Sequence, residues 1–284
     1  MIQIKSNVNL ALPEGVLWNS SLQCYEFVDI DKGGFYRFFL DKNLLIKIKV
    51  FNSNLSWIFP CHDNINYICG AGNQVIIWNS IDDESTPLFD LDLFLDQRLN
   101  DAYIDYYGVL WFNLISSQPF EYESNGSLYS YRAGLLSLED SDYFIPNGPI
   151  VTIDRSRMLH SDSAKGLLYS FDYYNGKIDI NSKSIVFDSS NIDGSPDGMC
   201  LDGSGNIYIA MWGLGEVWML NTSLEISKKF SIPFKFVTNV AFGGKNLDRL
   251  LVTYAEDQAL DISGGLYLLE GHNAVGLPSG VWQI

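Results

Sequence analysis

The chain has 284 residues, of which 47% are apolar and 14% aromatic, with 24 Gly among them. That content supports a large core, excludes a disordered chain, and favours strands and turns over helices. A formal net charge of −16 excludes the basic footprint that a nucleic-acid partner needs, and it argues equally against an anionic membrane surface.

The stretch MIQIKSNVNLALPEG has no apolar core of the signal-peptide kind, and no apolar run approaches the ~18 residues of a membrane-spanning helix. Cys24, Cys61, Cys69 and Cys200 show no zinc-finger spacing, and Cys24 and Cys200 sit among apolar residues. Buried free thiols in a reducing, cytoplasmic setting are expected. The Asn-x-Ser/Thr triplets at Asn19, Asn54, Asn125 and Asn221 then carry no meaning.

In chain order, IQIKSNVNLAL predicts a strand that joins the last sheet beside GGLYLLEG. CYEFVDI, QVIIW, GVLWFNLI, NIYIAMW, EVWMLN and RLLVTYA are strand-length apolar runs bounded by Gly, Asn and Asp. PLFDLDLFLDQRLND is ambiguous. Asn147-Gly148 in IPNGPIVTID is a hairpin-type signal, because both residues accept positive φ.

Stacking the runs exposes a repeat. PEGVLWNSSLQCYEFVDI, RLNDAYIDYYGVLWFNLI, PNGPIVTIDRSRMLHSDS, SPDGMCLDGSGNIYIAMW and VTNVAFGGKNLDRLLVTYA share one order: a polar residue, a small residue, a strand, an Asp- or Gly-bearing turn, a second strand. CHDNINYICGAGNQVIIW is a weaker copy. The leading polar positions are Glu14, Cys61 to Asp63, Asn100, Asn147, Asp197 and Asn239, spaced by about 47, 39, 47, 50 and 42 residues, within the ~40–50-residue period of propeller repeats. The expected fold is all-β: one domain over residues 1–284, a six-bladed β-propeller with four antiparallel strands per blade and a central channel.

Each leading position is expected at the start of an innermost strand. Glu14, Asn100, Asn147 and Asp197 then offer two carboxylates and two amide oxygens, a hard donor set suited to Ca²⁺, Mg²⁺ or Mn²⁺, with Zn²⁺ less typical. Singly, each is an ordinary turn former. Together they differ, because two buried carboxylates facing one axis repel by roughly 2–4 kcal/mol at an effective dielectric near 20. A cation relieves that repulsion, as could an Arg or waters. His62 lies near the second leading position and reads as structural.

On these motifs, most specifically PDGMCLDGSGNIYIA and FGGKNLDRLLVT, the chain resembles the regucalcin/gluconolactonase family, also called senescence-marker-protein-like, which includes luciferin-regenerating enzymes. The resemblance runs from about Leu12 to the C-terminus. It implies a six-bladed propeller with one catalytic divalent cation, Ca²⁺ first, with Zn²⁺, Mg²⁺ or Mn²⁺ as alternatives. It implies Glu14, Asn147 and Asp197 as ligands, Arg98 and Asn100 as substrate contacts, and Glu121 or Glu123 as the acidic residue that binds substrate hydroxyls. Aligning DRSRMLHSD instead would put Arg155 at the ligand position. That needs a gap, and it sets a cation beside a cation at a cost of roughly 8 kcal/mol at ~4 Å. NDA, DYYG and FNLIS depart from the family pattern, and they put substrate identity in doubt.

The implied activity is metal-dependent hydrolysis of a lactone, a sugar lactone first, with the metal as Lewis acid and Asp197 as general base. The competing readings are an esterase, phosphotriesterase, cyclase or isomerase on the same centre, and a non-enzymatic Ca²⁺-binding propeller. The expected partner is a small-molecule substrate, with no nucleic acid and no membrane, and the protein is expected as a monomer or weak homodimer.

Overall fold

The computed structural model describes residues 2–4, 8–91, 97–116 and 125–283. Its strands, in chain order, are β1 (Ile2–Ile4), then β2 (Pro13–Asn19), β3 (Cys24–Asp29), β4 (Gly34–Phe39) and β5 (Leu44–Val50), which form one antiparallel sheet in that order. The next sheet is β6 (Leu55–Pro60), β7 (Asn66–Ala71), β8 (Gln74–Asn79) and β9 (Ser85–Asp90). After it come β10 (Gln97–Ile104), β11 (Leu110–Ser116), β12 (Gly126–Arg132) and β13 (Leu135–Tyr143). The fourth sheet is β14 (Pro146–Val151), β15 (Arg157–Asp162), β16 (Leu167–Tyr174) and β17 (Lys177–Asp188). The fifth is β18 (Ser195–Leu201), β19 (Ile207–Trp212), β20 (Glu216–Leu220) and β21 (Ile226–Ser231). β22 (Val237–Gly243), β23 (Arg249–Tyr254) and β24 (Gly265–Leu269) take β1 as their fourth member, with Ile4 opposite Leu266, as expected for the N-terminal strand.

These six four-stranded antiparallel sheets are the blades of a β-propeller. The chain divides into two compact units, residues 1–55 with 193–279, and residues 56–192 with 280–284. Each unit contains three sheets. No helix among the described residues is long and apolar enough to cross a membrane.

Burial grades across each sheet. β11, β14 and β22 are buried along their whole length. A strand reaches that only when both faces of its sheet are covered, which is why these runs are apolar without alternation. The last strands β5, β17 and β21 are largely exposed and carry Lys47, Lys49, Lys177, Lys183, Lys228 and Lys229. Lysine on an exposed edge discourages pairing with another chain. Within the first unit, Trp18, Tyr25, Phe27 and Phe38 form one core with Leu251 and Leu266. Within the second, Trp57, Phe112, Leu110 and Trp282 form another.

The structure corrects two readings of the sequence. Asn147-Gly148 is no hairpin turn: it lies inside β14, where Gly148 at φ +54° makes a bulge. Cys61 to Asp63 do not lead the second sheet. They form the turn after β6, with the Asp63 carboxylate accepting from the N–H groups of Ile65 and Asn66. The sheet begins at Leu55 instead, and His62 is exposed in that turn. The ambiguous stretch contributes Ser85–Asp90 and Gln97–Ile104 as strands.

His160 on β15 is buried with Nε2 2.8 Å from Asn113 Oδ1 on β11, and the Tyr143 ring meets it edge-on. Burial pushes its pKa down to about 3. The unfolded chain therefore binds this proton near pH 6.5 and the folded one does not. Stability from the neutral ring is complete above pH 6.5 and declines toward pH 3. Between pH 6.5 and pH 4 this group should remove about 3 kcal/mol. Urea midpoints should fall over that window in the wild type and fall less steeply in His160→Leu. Parallel slopes would refute the linkage.

Burial also pushes the Cys24 and Cys61 thiols up to about 12, and Cys200 further. An aromatic disulfide reagent at pH 8 should label these three only after denaturant is added. Stoichiometric labelling of the native protein would contradict this.

Candidate functional site

The pairing between the first two strands of a sheet breaks at the same place in every such pair whose register is described. The ladder jumps from Glu14 to Leu17, Leu99 to Ala102, Asn147 to Ile150, Pro196 to Met199, and Val237 to Asn239. A bulge takes its residues out of the ladder and re-aims their side chains. The displaced or flanking residues are Glu14, Asn100, Asn147, Asp197 and Asn239, all buried. Two of the sheets share a second device. Asp29 accepts from the N–H groups of Ala11 and Leu12, and Asp162 from those of Phe144 and Ile145. Each carboxylate fixes the chain as it enters the proline that starts the next strand.

In the unit of residues 56–192, Asn147 is gripped from all sides. Its Oδ1 accepts from Asn100 Nδ2 at 2.6 Å, and its Nδ2 donates to Ser163 Oγ at 2.9 Å. Ser161 Oγ donates to its backbone oxygen at 3.1 Å. On either side along the chain, Asn100 Nδ2 reaches Pro146 O at 2.9 Å, and Gly148 N donates to Asp101 Oδ2 at 2.8 Å. Arg98 Nη1 donates to Asn100 Oδ1 at 2.9 Å and to Leu99 O at 2.8 Å, which sets the Asn100 amide. Burial pushes the Asp101 carboxyl up to about 6, against the lowering pull of the Gly148 and Ala102 N–H groups.

In the other unit, Glu14 and Asp197 lie on β2 and β18, which both pack against β22. They are 9% and 6% exposed. Glu14 Oε2 accepts from Gly15 N at 3.0 Å and from Asn239 Nδ2 at 3.1 Å. Asn239 Oδ1 accepts from Val240 N at 2.8 Å. The residue after Asp197 is Gly198, and a Cβ there would stand 2.3 Å from Asn239 Cγ. One buried carboxylate, Glu14, therefore bonds this neutral amide, and the residue after the other packs against it. Thr238 Oγ1 donates to Pro13 O at 2.6 Å and pairs with Thr253 Oγ1 at 2.7 Å, tying β22 to β2. Both carboxylates are buried and are hard oxygen donors of the kind that suits a divalent cation. Among the described residues, no three His, Cys, Asp or Glu side chains form a cluster that could hold a metal by themselves, so amide or backbone oxygens would complete such a set.

Of the residues read from the sequence, Glu14 bonds Asn239 while Asp197 lies on the strand whose Gly198 packs against that amide, and Arg98, Asn100 and Asn147 form one hydrogen-bonded chain. Glu121 and Glu123 lie outside the described residues. Arg155 sits in the turn between β14 and β15 at φ +58°, over the Tyr106 ring at 4.7 Å, at the opposite end of β14 from Asn147. The DYYG turn lies at the far end of β10 from Asn100, held by Asp105, so that departure from the family pattern is remote from the polar chain. Asp101, Ser163 and Thr238 were not singled out by the sequence, and Asn239 was noted only for its repeat position. That repeat register was the available signal for Asn239. Nothing marked Ser163, whose role depends on cross-strand geometry.

The family profile described as "SMP-30/Gluconolactonase/LRE-like region" matches residues 12–256. Pentonolactonase XacC of Haloferax volcanii is 29% identical over 61% of this chain and 62% of its own length, so the match spans about three fifths of that relative. A luciferin-regenerating enzyme structure superimposes with a TM-score of 0.90 at 24% identity, covering 99% of this chain and 98% of that one. A calcium-binding protein, regucalcin, from Agrobacterium tumefaciens superimposes with a TM-score of 0.90 at 20% identity, covering 99% and 97%. These likenesses in structure establish the fold.

The grip on Asn147 is testable by stability. Ser163→Ala and Asn100→Leu each leave a buried amide group unmatched, and each should lower the unfolding free energy by about 1–3 kcal/mol in urea at pH 7. Losses under ~0.5 kcal/mol would show that the amide finds other partners.

Proposed function

The chain belongs to the SMP-30/gluconolactonase/LRE-like family, and on that premise we propose that it is a divalent-metal-dependent lactonase acting on a sugar lactone. The observation that carries the reading is the pair of buried carboxylates, Glu14 and Asp197, set at strand bulges on two strands that both pack against β22. The pentonolactonase relative supports the substrate class. Glu14 and Asp197 are proposed as metal ligands, and for Asn147 the same role rests on the sequence resemblance. Ca²⁺ is the first choice, supported by the calcium-binding relative, with Zn²⁺, Mg²⁺ or Mn²⁺ as alternatives.

When bound, such a cation supplies Lewis-acid polarisation of the lactone carbonyl and lowers the pKa of a water. Asp197 takes the proton of the attacking water through a carboxylate oxygen, as general base. Arg98 and Asn100 bond substrate hydroxyls, with Glu121 or Glu123 in the same role. Arg98 also holds Asn100 in one orientation, so the amide meets substrate without first losing rotamer freedom. The proposal includes a cytoplasmic protein, monomeric or weakly dimeric.

A second reading, a calcium-binding protein without turnover, is favoured by the likeness to the Agrobacterium protein. Proton release from a panel of aldonolactones, aryl esters and organophosphates separates the two. Lactone turnover should vanish in EDTA and return with added cation, and Asp197→Asn should lower kcat by about 10²–10⁴-fold. Turnover that survives EDTA, or an unchanged kcat in Asp197→Asn, overturns the lactonase mechanism. Cation binding with no turnover of any substrate supports the second reading.

A further inference from the structure

We propose that Asn239 is the positioning residue for the Glu14 carboxylate, fixing the rotamer in which Glu14 meets a divalent cation. The inference rests on the cation reading above. Asn239 Nδ2 donates to Glu14 Oε2, while its Oδ1 is held by Val240 N, so the amide has one orientation in which the donor faces Glu14. A carbonyl oxygen in the donor's place would repel the carboxylate, so the Val240 bond selects the useful flip.

Three surrounding features hold the amide there. Gly198 presents bare backbone: a Cβ would lie 2.3, 2.5 and 2.6 Å from Cγ, Nδ2 and Oδ1 of Asn239. The Asn239 backbone oxygen accepts from Thr253 Oγ1 at 3.3 Å. Thr238 ties the same strand to Pro13, the residue before Glu14. The Glu14 side chain has three rotatable bonds, and a ligand that must be ordered on binding loses affinity. Asn239 orders it in advance. The Gly198 contact also couples Glu14 to the strand that carries Asp197, through a single neutral side chain.

The test is calorimetric titration of the chelator-stripped full chain with CaCl₂, alongside thermal unfolding of the cation-free protein. Asn239→Leu keeps the side chain's bulk and deletes the donor. Gly198→Ala keeps the donor and displaces it. Both should weaken calcium binding by about 10–100-fold, the range for loss of a partner that orients a ligand. Asn206→Ala removes the bond from Asn206 Nδ2 to Asp202 Oδ2 in the turn after β18, away from the Glu14 carboxylate. It should lower the Tm yet change calcium affinity less than ~3-fold, far below that range. Calcium binding by Asn239→Leu within ~3-fold of wild type overturns the positioning role and leaves the cation reading standing. An equal loss in Asn206→Ala also overturns it, since general loosening would then explain the effect. Wild-type protein that binds no Ca²⁺, Mg²⁺, Mn²⁺ or Zn²⁺ overturns both. Should Asn239→Leu fail to fold, Gly198→Ala decides alone.

Discussion

A bulge in the first strand of a sheet leaves backbone groups without ladder partners in a place where water is excluded. Buried backbone N–H and C=O groups are almost always paired, so something must reach them. Here a short polar side chain from the preceding first strand does so. Thr238 bonds the carbonyl of Pro13, Ser56 that of Leu99, and Asn100 that of Pro146. The accepting residue stands immediately before Glu14, Asn100 or Asn147 in sequence. The contact that satisfies the bulge therefore also sets the direction in which the next side chain points.

This dual use explains the preference for asparagine. A hydroxyl is enough to meet a carbonyl, and Thr238 and Ser56 do no more. Asn100 donates both to Pro146 O and to Asn147 Oδ1 while accepting from Arg98. Only a side chain with donors and an acceptor on one rigid plane can make all three bonds. Asn239 likewise accepts from Val240 and donates to Glu14. A carboxylate in either place would keep the acceptor and lose the donor, and at position 239 it would also set like charges together.

How much of this was legible in the sequence follows from the same physics. The strands were legible because burial on both faces produces unbroken apolar runs such as RLLVTYA, bounded by turn residues. The repeat was legible because each sheet needs a polar residue at its bulge, and five of the six leading positions fall there. The second sheet was misplaced because the polar residue of its first strand is Ser56, a common surface residue inside an apolar run, whereas Asp63 looks polar enough to lead. The Asn-Gly pair was misread because a left-handed glycine serves a bulge and a hairpin equally. Asp101 was passed over beside Asn100, because which of two adjacent residues a bulge turns inward depends on backbone geometry. The Arg98–Asn100–Asn147–Ser163 chain spans elements far apart in sequence and leaves no local pattern.

The equivalence of the bulges bears on how chemistry is distributed over the sheets. Each of the five leading positions at a described bulge is buried and polar, and Glu, Asn and Asp all occupy such a place. The scaffold thus constrains size and polarity there but leaves charge open. Charge is what differs: Glu14 and Asp197 are acids, while Asn100, Asn147 and Asn239 are neutral. On the proposed reading two acids among these positions suit one divalent charge, whereas acids at all of them would destabilise the fold by mutual repulsion. On that same reading the choice of acid or amide at each bulge governs cation affinity without altering the strands that present it, as expected where function is carried by a site and not by the fold.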